Sequence, residues 1–185
     1  MRQYQILWVS AIVLFLDQLT KFIIKATMEL HQSIPVLGNW LRLTYIENPG
    51  MAFGISFASS TFFTVFAIIA SIVILVYLFK MKSDLFLARL AMAMIFGGAI
   101  GNLTDRIIRG RVVDFLDCEF INVNIPAFKF LFINFPGYQM DRWPVFNVAD
   151  MAVSIGMVLL LVVIAFEKDP VHEDNPQDTE TEMIR

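Results

Sequence analysis

Ionisable and amide side chains recur inside otherwise apolar stretches of this 185-residue chain. Asp17 and Lys21 lie four residues apart, acid before base, which is the favourable order for an ion pair on one face of a helix. Each could simply neutralise the other, or could take part in chemistry. Similar groups follow later in the chain, namely Asn102, Asp105, Arg106, Asn147 and Asp150.

Asp114 and Asp150 are the acids best suited to catalysis. Asp114 lies between apolar neighbours, and Asp150 precedes sixteen uncharged, mostly apolar residues. Two carboxyl groups within ~3–4 Å of each other cannot both ionise easily, so such a pair shares a proton. A pair of this kind can activate water and protonate a leaving amine. Taken singly, each could instead be a helix cap or a satisfied buried acid.

Other reaction chemistries find little support in the sequence. The only histidines are His31 and His172, so a histidine-based triad is not expected. Cys118, the single cysteine, lacks a base nearby and is expected to be a small apolar filler. The chain has too few soft ligands for a zinc site, and we expect no metal and no cofactor.

The composition indicates a membrane protein. Hydrophobic residues make up 57% of the chain and charged residues 17%, whereas soluble domains average roughly 45–50% and about 25%. A net charge of −3 gives no basic surface for nucleic acid. Four apolar runs are long enough to cross a bilayer core of ~30 Å, at about residues 4–28, 62–79, 85–108 and 145–166.

These runs predict a single four-helix domain over residues 1–168. Its outer connectors are residues 29–61 and 109–144, and residues 169–185 form an acidic tail that we expect to be disordered and cytoplasmic. The first run could instead be a cleaved signal peptide, but it is too long for one and has no good cleavage site. A segment beginning at Pro126 and rich in phenylalanine has the character of a short amphipathic or interfacial element.

Charge placement predicts the orientation. Arg2, the short basic link around Lys80 and Lys82, and Arg89 favour cytoplasmic termini by the positive-inside rule. The intramembrane polar residues then all lie near the outer ends of their helices, beside Asn48 and Asp114. Groups gathered at one depth predict a shared polar site at the outer surface. Several arginines would also face outward, and lipid phosphates are one candidate partner for them.

Five short motifs, taken in order, resemble those of the lipoprotein signal peptidases, the type II signal peptidases of bacteria. They are Asp17-Gln-Leu-Thr-Lys21, Asn48-Pro-Gly50-Met-Ala-Phe-Gly54, Gly101-Asn-Leu-Thr-Asp-Arg106, Val112-Val-Asp-Phe115 and Phe146-Asn-Val-Ala-Asp150. Any one of these strings is weak evidence, but five in order on four spans make a highly specific match.

The resemblance implies an intramembrane aspartic endopeptidase of the bacterial cytoplasmic membrane. It would remove signal peptides from diacylglyceryl-modified prolipoproteins by cutting just before the lipidated cysteine, with Asp114 and Asp150 as the catalytic dyad. Its partners would be these substrates and membrane lipids, and we expect a monomer that uses no cofactor. Residues implied to shape or support the site are Asn48, Gly50, Asn102, Asp105, Arg106, Asn147, Asp17 and Lys21.

The resemblance also implies the architecture, an all-α membrane protein with four transmembrane helices, a small extracytoplasmic β element and a loop helix over the active site. We expect the β element at about 34–56 and the helix at about 122–140. The connector between Asp117 and Trp143 is longer and more aromatic than is usual in the family, so the shape and role of the loop 118–143 are left open.

Two functions of other classes compete with this interpretation. A small proton- or ion-coupled carrier would also place Asp and Arg in membrane helices, with Asp105 and Asp150 as a proton relay. Against it, the charges cluster at one end rather than at the midplane, and no inverted repeat is visible. A non-catalytic assembly subunit would tolerate asparagine in place of either Asp114 or Asp150.

Overall fold

Four long helices dominate the computed structural model, which describes residues 5–50, 60–81, 85–120 and 123–166. They are α1 (Leu7–Thr27), α2 (Ser60–Lys80), α3 (Phe86–Arg109) and α4 (Val148–Phe166). Each is long and apolar enough to cross a membrane, and its ends lie within three residues of the predicted span. The predicted tail, residues 169–185, lies outside the described residues.

Helix α3 is the centre of the bundle and contacts the other three helices. Its glycines allow this close approach, because a Cβ atom on Gly97 would lie 2.8 Å from the Ser10 carbonyl oxygen of α1. A Cβ atom on Gly98 would lie 2.4 Å from the Ala149 carbonyl oxygen of α4. Small residues at such crossings let backbones pack tightly in a membrane. The outward faces of the helices carry large apolar side chains that suit contact with lipid.

A three-stranded antiparallel sheet lies at one end of the bundle. Its strands are β1 (Ser33–Leu37), β2 (Leu41–Asn48) and β3 (Val112–Cys118), in the order β1-β2-β3. Strand β3 follows α3 directly, after Gly110 ends the helix in the left-handed conformation with φ +72°. The sheet packs against the end of α1 through an apolar cluster of Ile24, Met28, Tyr45, Val113 and Phe115. Strands β1 and β2 overlap the segment at about 34–56 where the β element is expected, and residues 51–56 of that segment lie outside the described chain.

The connector after β3 differs from the expectation of a helix at about 122–140. Its described residues form four short strands, β4 (Val123–Ile125), β5 (Phe128–Phe130), β6 (Ile133–Phe135) and β7 (Tyr138–Met140). Strand β4 pairs with β7, and β5 pairs with β6. Aromatic and β-branched residues are common here and favour strands, while Pro126, Pro136 and Gly137 disfavour a continuous helix.

Candidate active site

The polar residues of the membrane helices meet at the end of the bundle that carries the three-stranded sheet. Residues that the sequence separates by more than 130 positions are neighbours here, and most of the polar side chains are inaccessible to solvent. Asp17, Lys21, Asp105 and Asn147 have no exposed surface, and Asp114 is 2% exposed. Burying so many polar groups is costly unless each is paired, so their partners determine what the site can do.

Lys21 is the centre of a buried ion cluster. Its Nζ lies 2.9 Å from Asp17 Oδ2 and 3.0 Å from Asp105 Oδ2, and it donates to Asn102 Oδ1 at 2.9 Å. An ammonium group has three donors, and these three partners use them all. Arg109 pairs with the other oxygen of Asp105, so two bases balance two acids. The cluster is therefore satisfied and neutral in spite of its burial.

The two acids of this cluster also hold the backbone beside the candidate dyad. Asp17 Oδ1 accepts a hydrogen bond from the backbone N–H of Ala149, the residue before Asp150, at 2.9 Å. Asp105 Oδ2 accepts one from the backbone N–H of Val113, the residue before Asp114, at 3.1 Å. One ion cluster thus fixes the start of α4 and the start of β3, and with them both carboxylates.

Asn147 caps α4 and orients Asp150. Its Oδ1 accepts a hydrogen bond from the Asp150 N–H at 3.0 Å, and its own N–H donates to Asp150 Oδ2 at 3.2 Å. These reciprocal bonds form a capping box, which satisfies backbone donors that a helix start otherwise leaves unpaired. The local sequence Asn-Val-Ala-Asp therefore both begins the helix and holds the Asp150 carboxylate in one rotamer.

Two amide side chains connect the two carboxylates. Asn147 Nδ2 donates to Asp114 Oδ1 at 2.7 Å, and Asn102 Nδ2 donates to Asp150 Oδ1 at 2.7 Å. The amides contact each other through Asn147 Nδ2 and Asn102 Oδ1, 3.1 Å apart. Asn102 Oδ1 also accepts from Lys21. A continuous hydrogen-bonded path therefore runs from the ammonium group through two asparagines to both acids.

Strand β2 completes the surroundings of Asp114. Asn48 Nδ2 donates to Asp114 Oδ2 at 3.2 Å, and Asn48 Oδ1 accepts from the Gly50 N–H at 2.9 Å. Gly50 has φ +117°, and a Cβ atom there would lie 2.7 Å from the Phe63 ring. Glycine is therefore required by both the backbone and the space, and the turn it makes sets the position of Asn48.

Burial raises the pKa of the Asp114 carboxyl to about 7, and the negative charge of Asp150 adds to this increase. The hydrogen bonds from Asn48 and Asn147 act in the opposite direction but are outweighed. A carboxyl group with this pKa can hold a proton near neutral pH and can release it during a reaction. Arg106 is close enough to interact electrostatically with both acids, and it donates a long hydrogen bond to the Asn102 carbonyl oxygen at 3.5 Å.

An apolar cavity opens beside Asp150. It has a volume of about 540 Å³, and Asp150 is the one charged residue among the described residues that line it. A second cavity of about 430 Å³ shares Ser154 and Ile155 with it and continues along α4 towards Val162. Together they form an apolar groove that runs along α4 from the Asp150 carboxylate. The other residues that line the first cavity include Phe120, Trp143, Phe146 and Met151.

Thus all ten residues that the sequence singled out lie in one connected region. Gln18 is an addition, since its Nε2 donates to Asp17, to Asp105 and to the Gly101 carbonyl oxygen. It stands inside the Asp17–Lys21 motif, and helical spacing alone did not reveal its contacts. The capping box was also missed, although an N-cap residue followed three positions later by an acid is a readable signal.

Two of the arginines that the sequence predicts to face outward have protein partners. Arg109 pairs with Asp105. Arg142 pairs with Asp117 at 2.6 Å and with Glu119 at 3.1 Å, and it donates to the Asn39 carbonyl oxygen. This second set ties the return of the long connector to the sheet. Among the described residues, no group of three or more His, Cys, Asp or Glu side chains is arranged to hold a metal ion.

Comparison with known proteins shows the family to which the chain is related. Residues 9–166 match the family model for signal peptidase II. The chain is 40% identical over 159 residues to the lipoprotein signal peptidase of Syntrophus aciditrophicus, covering 83% of this chain and 87% of that one. It is 35% identical over 172 residues to that of Geobacter metallireducens, covering 90% and 94%.

Solved structures give the same result for the fold. A bacterial membrane enzyme determined by the in meso method at 2.3 Å superposes with a TM-score of 0.72 at 28% identity, covering 92% of this chain and 93% of the other. A second, determined at 1.9 Å, superposes with a TM-score of 0.70 at 30% identity, covering 88% and 94%.

Proposed function

The chain belongs to the signal peptidase II family, and we propose that it is an aspartic endopeptidase with Asp114 and Asp150 as its catalytic dyad. Membership of the family already implies a membrane peptidase that removes lipoprotein signal peptides. The observation that supports the aspartic mechanism is the amide bridge, in which Asn147 and Asn102 connect two buried carboxylates.

In the proposed mechanism the two acids share one proton, and Asp114 carries it. Its pKa of about 7 allows the protonated form near neutral pH. Both acids accept two hydrogen bonds, but Asp150 also lies in the first turn of α4, where the helix dipole favours a negative charge. The ammonium group of Lys21 polarises the Asn102 amide towards Asp150. Asp150 is then the base and Asp114 the acid.

In the reaction, Asp150 accepts and returns a proton, and Asp114 polarises the scissile carbonyl group. Asp150 takes a proton from a water molecule, which attacks the scissile carbonyl carbon while Asp114 donates a hydrogen bond to the carbonyl oxygen. The tetrahedral intermediate collapses as the C–N bond breaks, and the proton held by Asp150 passes to the departing amine. General acid–base catalysis of this kind contributes about 10²–10⁴-fold in rate.

The substrate is proposed to be a diacylglyceryl-modified prolipoprotein, cut just before its lipidated cysteine. The apolar groove that leads along α4 from Asp150 suits acyl chains or the apolar segment of a signal peptide. Acyl chains held in the bilayer would fix the depth of the scissile bond, so that the peptide reaches the dyad already oriented.

We further propose that the protein lies in the bacterial cytoplasmic membrane with both termini in the cytoplasm and the site near the outer face. The basic link between α2 and α3 supports this orientation. It places the dyad on the side from which translocated prolipoproteins would approach. Asn48 and Arg106, which lie beside the carboxylates, are proposed to contact the substrate backbone.

A cleavage assay tests the proposal. Purified full-length protein in detergent micelles is given a diacylglyceryl-modified prolipoprotein, and the products are analysed by gel shift and by mass spectrometry. We expect cleavage just before the modified cysteine, and a loss of at least ~10³-fold in kcat for Asp114→Asn and for Asp150→Asn. Asp141→Asn is the matched control, because Asp141 is an exposed acid at the end of the same connector.

Three results would each contradict part of the proposal. If both dyad variants fold and still cleave, the carboxylates are not catalytic. If the wild-type protein is inert towards the modified precursor while binding it, the assembly-subunit alternative gains support. A cut at another peptide bond would leave the dyad intact but would make the proposed cut position wrong.

A further inference from the structure

The connector between β3 and α4 forms one long β-ribbon. The β4–β7 pair and the β5–β6 pair continue a single register, interrupted where Pro126 and Ala127 face Pro136 and Gly137. The ribbon turns at Leu131 and Phe132, which lie between the last paired residues. At about 3.3 Å per residue, its tip reaches up to roughly 25 Å from its base.

The tip has the wrong residues for a turn in water. Two-residue hairpin turns favour Asn-Gly or similar pairs, because positive φ angles suit residues without a branched or bulky side chain. Leu131 instead adopts φ +53° here, and it is 81% exposed. Phe132 beside it is 93% exposed. Two large apolar side chains at the most protruding point indicate that this point contacts something other than water.

The part of the ribbon next to the tip, strands β5 and β6, has two different faces. Phe128 and Phe135 are paired across the strands with ring centroids 5.1 Å apart, and Phe128 is 51% exposed. Lys129 and Asn134 form the next pair and therefore lie on the opposite face. Residues 120–140 contain one lysine and no acid. An apolar face, a polar face and a positive charge together suit the surface of a membrane that contains anionic lipids.

Among the described elements, the ribbon has no extensive contact with the helices or with the three-stranded sheet. Within the described part of the chain, the main contacts of the four strands β4, β5, β6 and β7 are those between paired strands. A two-stranded ribbon with strands of three residues is marginal in water without a third strand or a packing surface. The missing surface must cover the phenylalanine face and the tip.

We propose that the tip of this ribbon, Leu131 and Phe132, inserts into the interfacial region of the bilayer on the side where the site lies. The base of the ribbon is continuous with the lipid-facing surface, because Phe120 and Trp143 line the groove beside α4. Their rings pack edge to face, with centroids 6.4 Å apart. Arg142 fixes this base to Asp117. A rigid base at the membrane end and an apolar tip make the ribbon a second membrane anchor, separate from the four helices.

A depth measurement tests this proposal on the full-length protein. Phe132→Cys is labelled with a thiol-reactive, environment-sensitive fluorophore and reconstituted in vesicles of phosphatidylcholine and phosphatidylglycerol. Gln139→Cys, exposed and hydrogen-bonded to Asp141, is the control position on the same ribbon. Native Cys118 is buried, and burial raises the pKa of its thiol, so it reacts poorly with the label. Labelling of the unsubstituted chain gives the background.

We expect lipid-attached quenchers to reduce the fluorescence of the label at 132 at least ~3-fold more than that at 139, and aqueous iodide to show the reverse order. Leu131→Cys supplies a second reporter if Phe132→Cys does not fold. Equal access of iodide to both positions would overturn the proposal. So would protection of position 132 only after prolipoprotein is added, since the tip would then contact substrate. The readout needs no cleavage, so it is independent of the proposed dyad.

Discussion

Asp17 accepts a hydrogen bond from the backbone N–H of Ala149 at 2.9 Å, and so a residue of the first helix fixes the one that precedes Asp150 in the fourth. Asp105 does the same for Val113, which precedes Asp114. Both acids bind Lys21. The groups proposed to react are thus positioned by a buried ion cluster that need not touch the substrate.

The first prediction concerns the pH dependence of cleavage. Asp114 must be protonated in the proposed mechanism, and its pKa is about 7, so the rate should fall as the pH rises through about 7. Ionised Asp150 is needed as well, so the rate should also fall on acidification, and the profile is bell-shaped with two apparent constants that belong to the pair. Initial rates from pH 4 to 9 measure this. A flat profile above pH 7 would assign the proton to another group.

The second prediction concerns stability. The pKa of Asp114 is higher in the folded protein than the ordinary 3.8, so the folded state holds a proton that the unfolded state has lost. Wild-type stability therefore falls as the pH rises from about 4 through about 7, by up to about 4 kcal/mol. Asp114→Asn carries no charge and escapes this loss. It should melt at a higher temperature than wild type at pH 8 and at a similar temperature at pH 4.

Thermal unfolding in one detergent at both pH values provides the comparison. Asp141→Asn removes an exposed charge and should not change the difference between the two pH values. If Asp114→Asn is less stable than wild type at pH 8, the carboxylate is better stabilised by its amide neighbours than its burial indicates.

The third prediction separates the two roles of Asn147. A serine at this position can still cap α4 through its hydroxyl, but it is too short to bridge to Asp114. We expect Asn147→Ser to lose about 10²-fold in kcat with a small change in melting temperature. Asn147→Ala should lose a similar amount of activity and, in addition, about 1 kcal/mol of stability. Equal activities of Asn147→Ser and wild type would show that the bridge is dispensable.

The fourth prediction concerns Lys21. Removing one partner of a buried charge cluster leaves the others uncompensated and typically costs 3–5 kcal/mol, so ~3–5 kcal/mol is expected for Lys21→Met. The double variant Lys21→Met/Asp17→Asn removes one of the stranded charges and should regain part of the loss. Yield after extraction and melting temperature measure both. A double variant no better than the single one would contradict the view that uncompensated charge causes the damage.

Much of this fold could be predicted because a bilayer imposes simple requirements on length and polarity. The four spans follow from apolar runs, and the gathering of polar groups follows from their equal depth. The partners of each group could not be predicted, because contacts such as Asp17 with Ala149 depend on how closely α3 lets its neighbours approach. Gly98 allows the backbones of α3 and α4 to come into contact, and a hydropathy pattern does not reveal such a contact.

The prediction of a helix in the connector at about 122–140 was wrong for a different reason. Its phenylalanines suit either an amphipathic helix or a ribbon, and the family resemblance favoured the helix. The pairing of Phe128 with Phe135 across a turn depends on a register that only the folded ribbon reveals. Pro126 and Pro136 were the available signal. Proline disrupts the interior of a helix, but it is accepted where the hydrogen bonding between two strands is interrupted.

The ion cluster also bears on how the protein is assembled in its membrane. Lys21 has a partner of opposite charge four residues away in its own helix, Asp17, and Asp105 has one in Arg109. Lys21 and Asp105 each therefore have an opposite charge within their own helix before the two helices meet, which lowers the cost of placing these two groups in lipid. The contact between Lys21 and Asp105 can then form afterwards, as α1 and α3 associate within the bilayer. The helices can thus insert into the membrane one at a time, and the ion cluster around Lys21 is completed last.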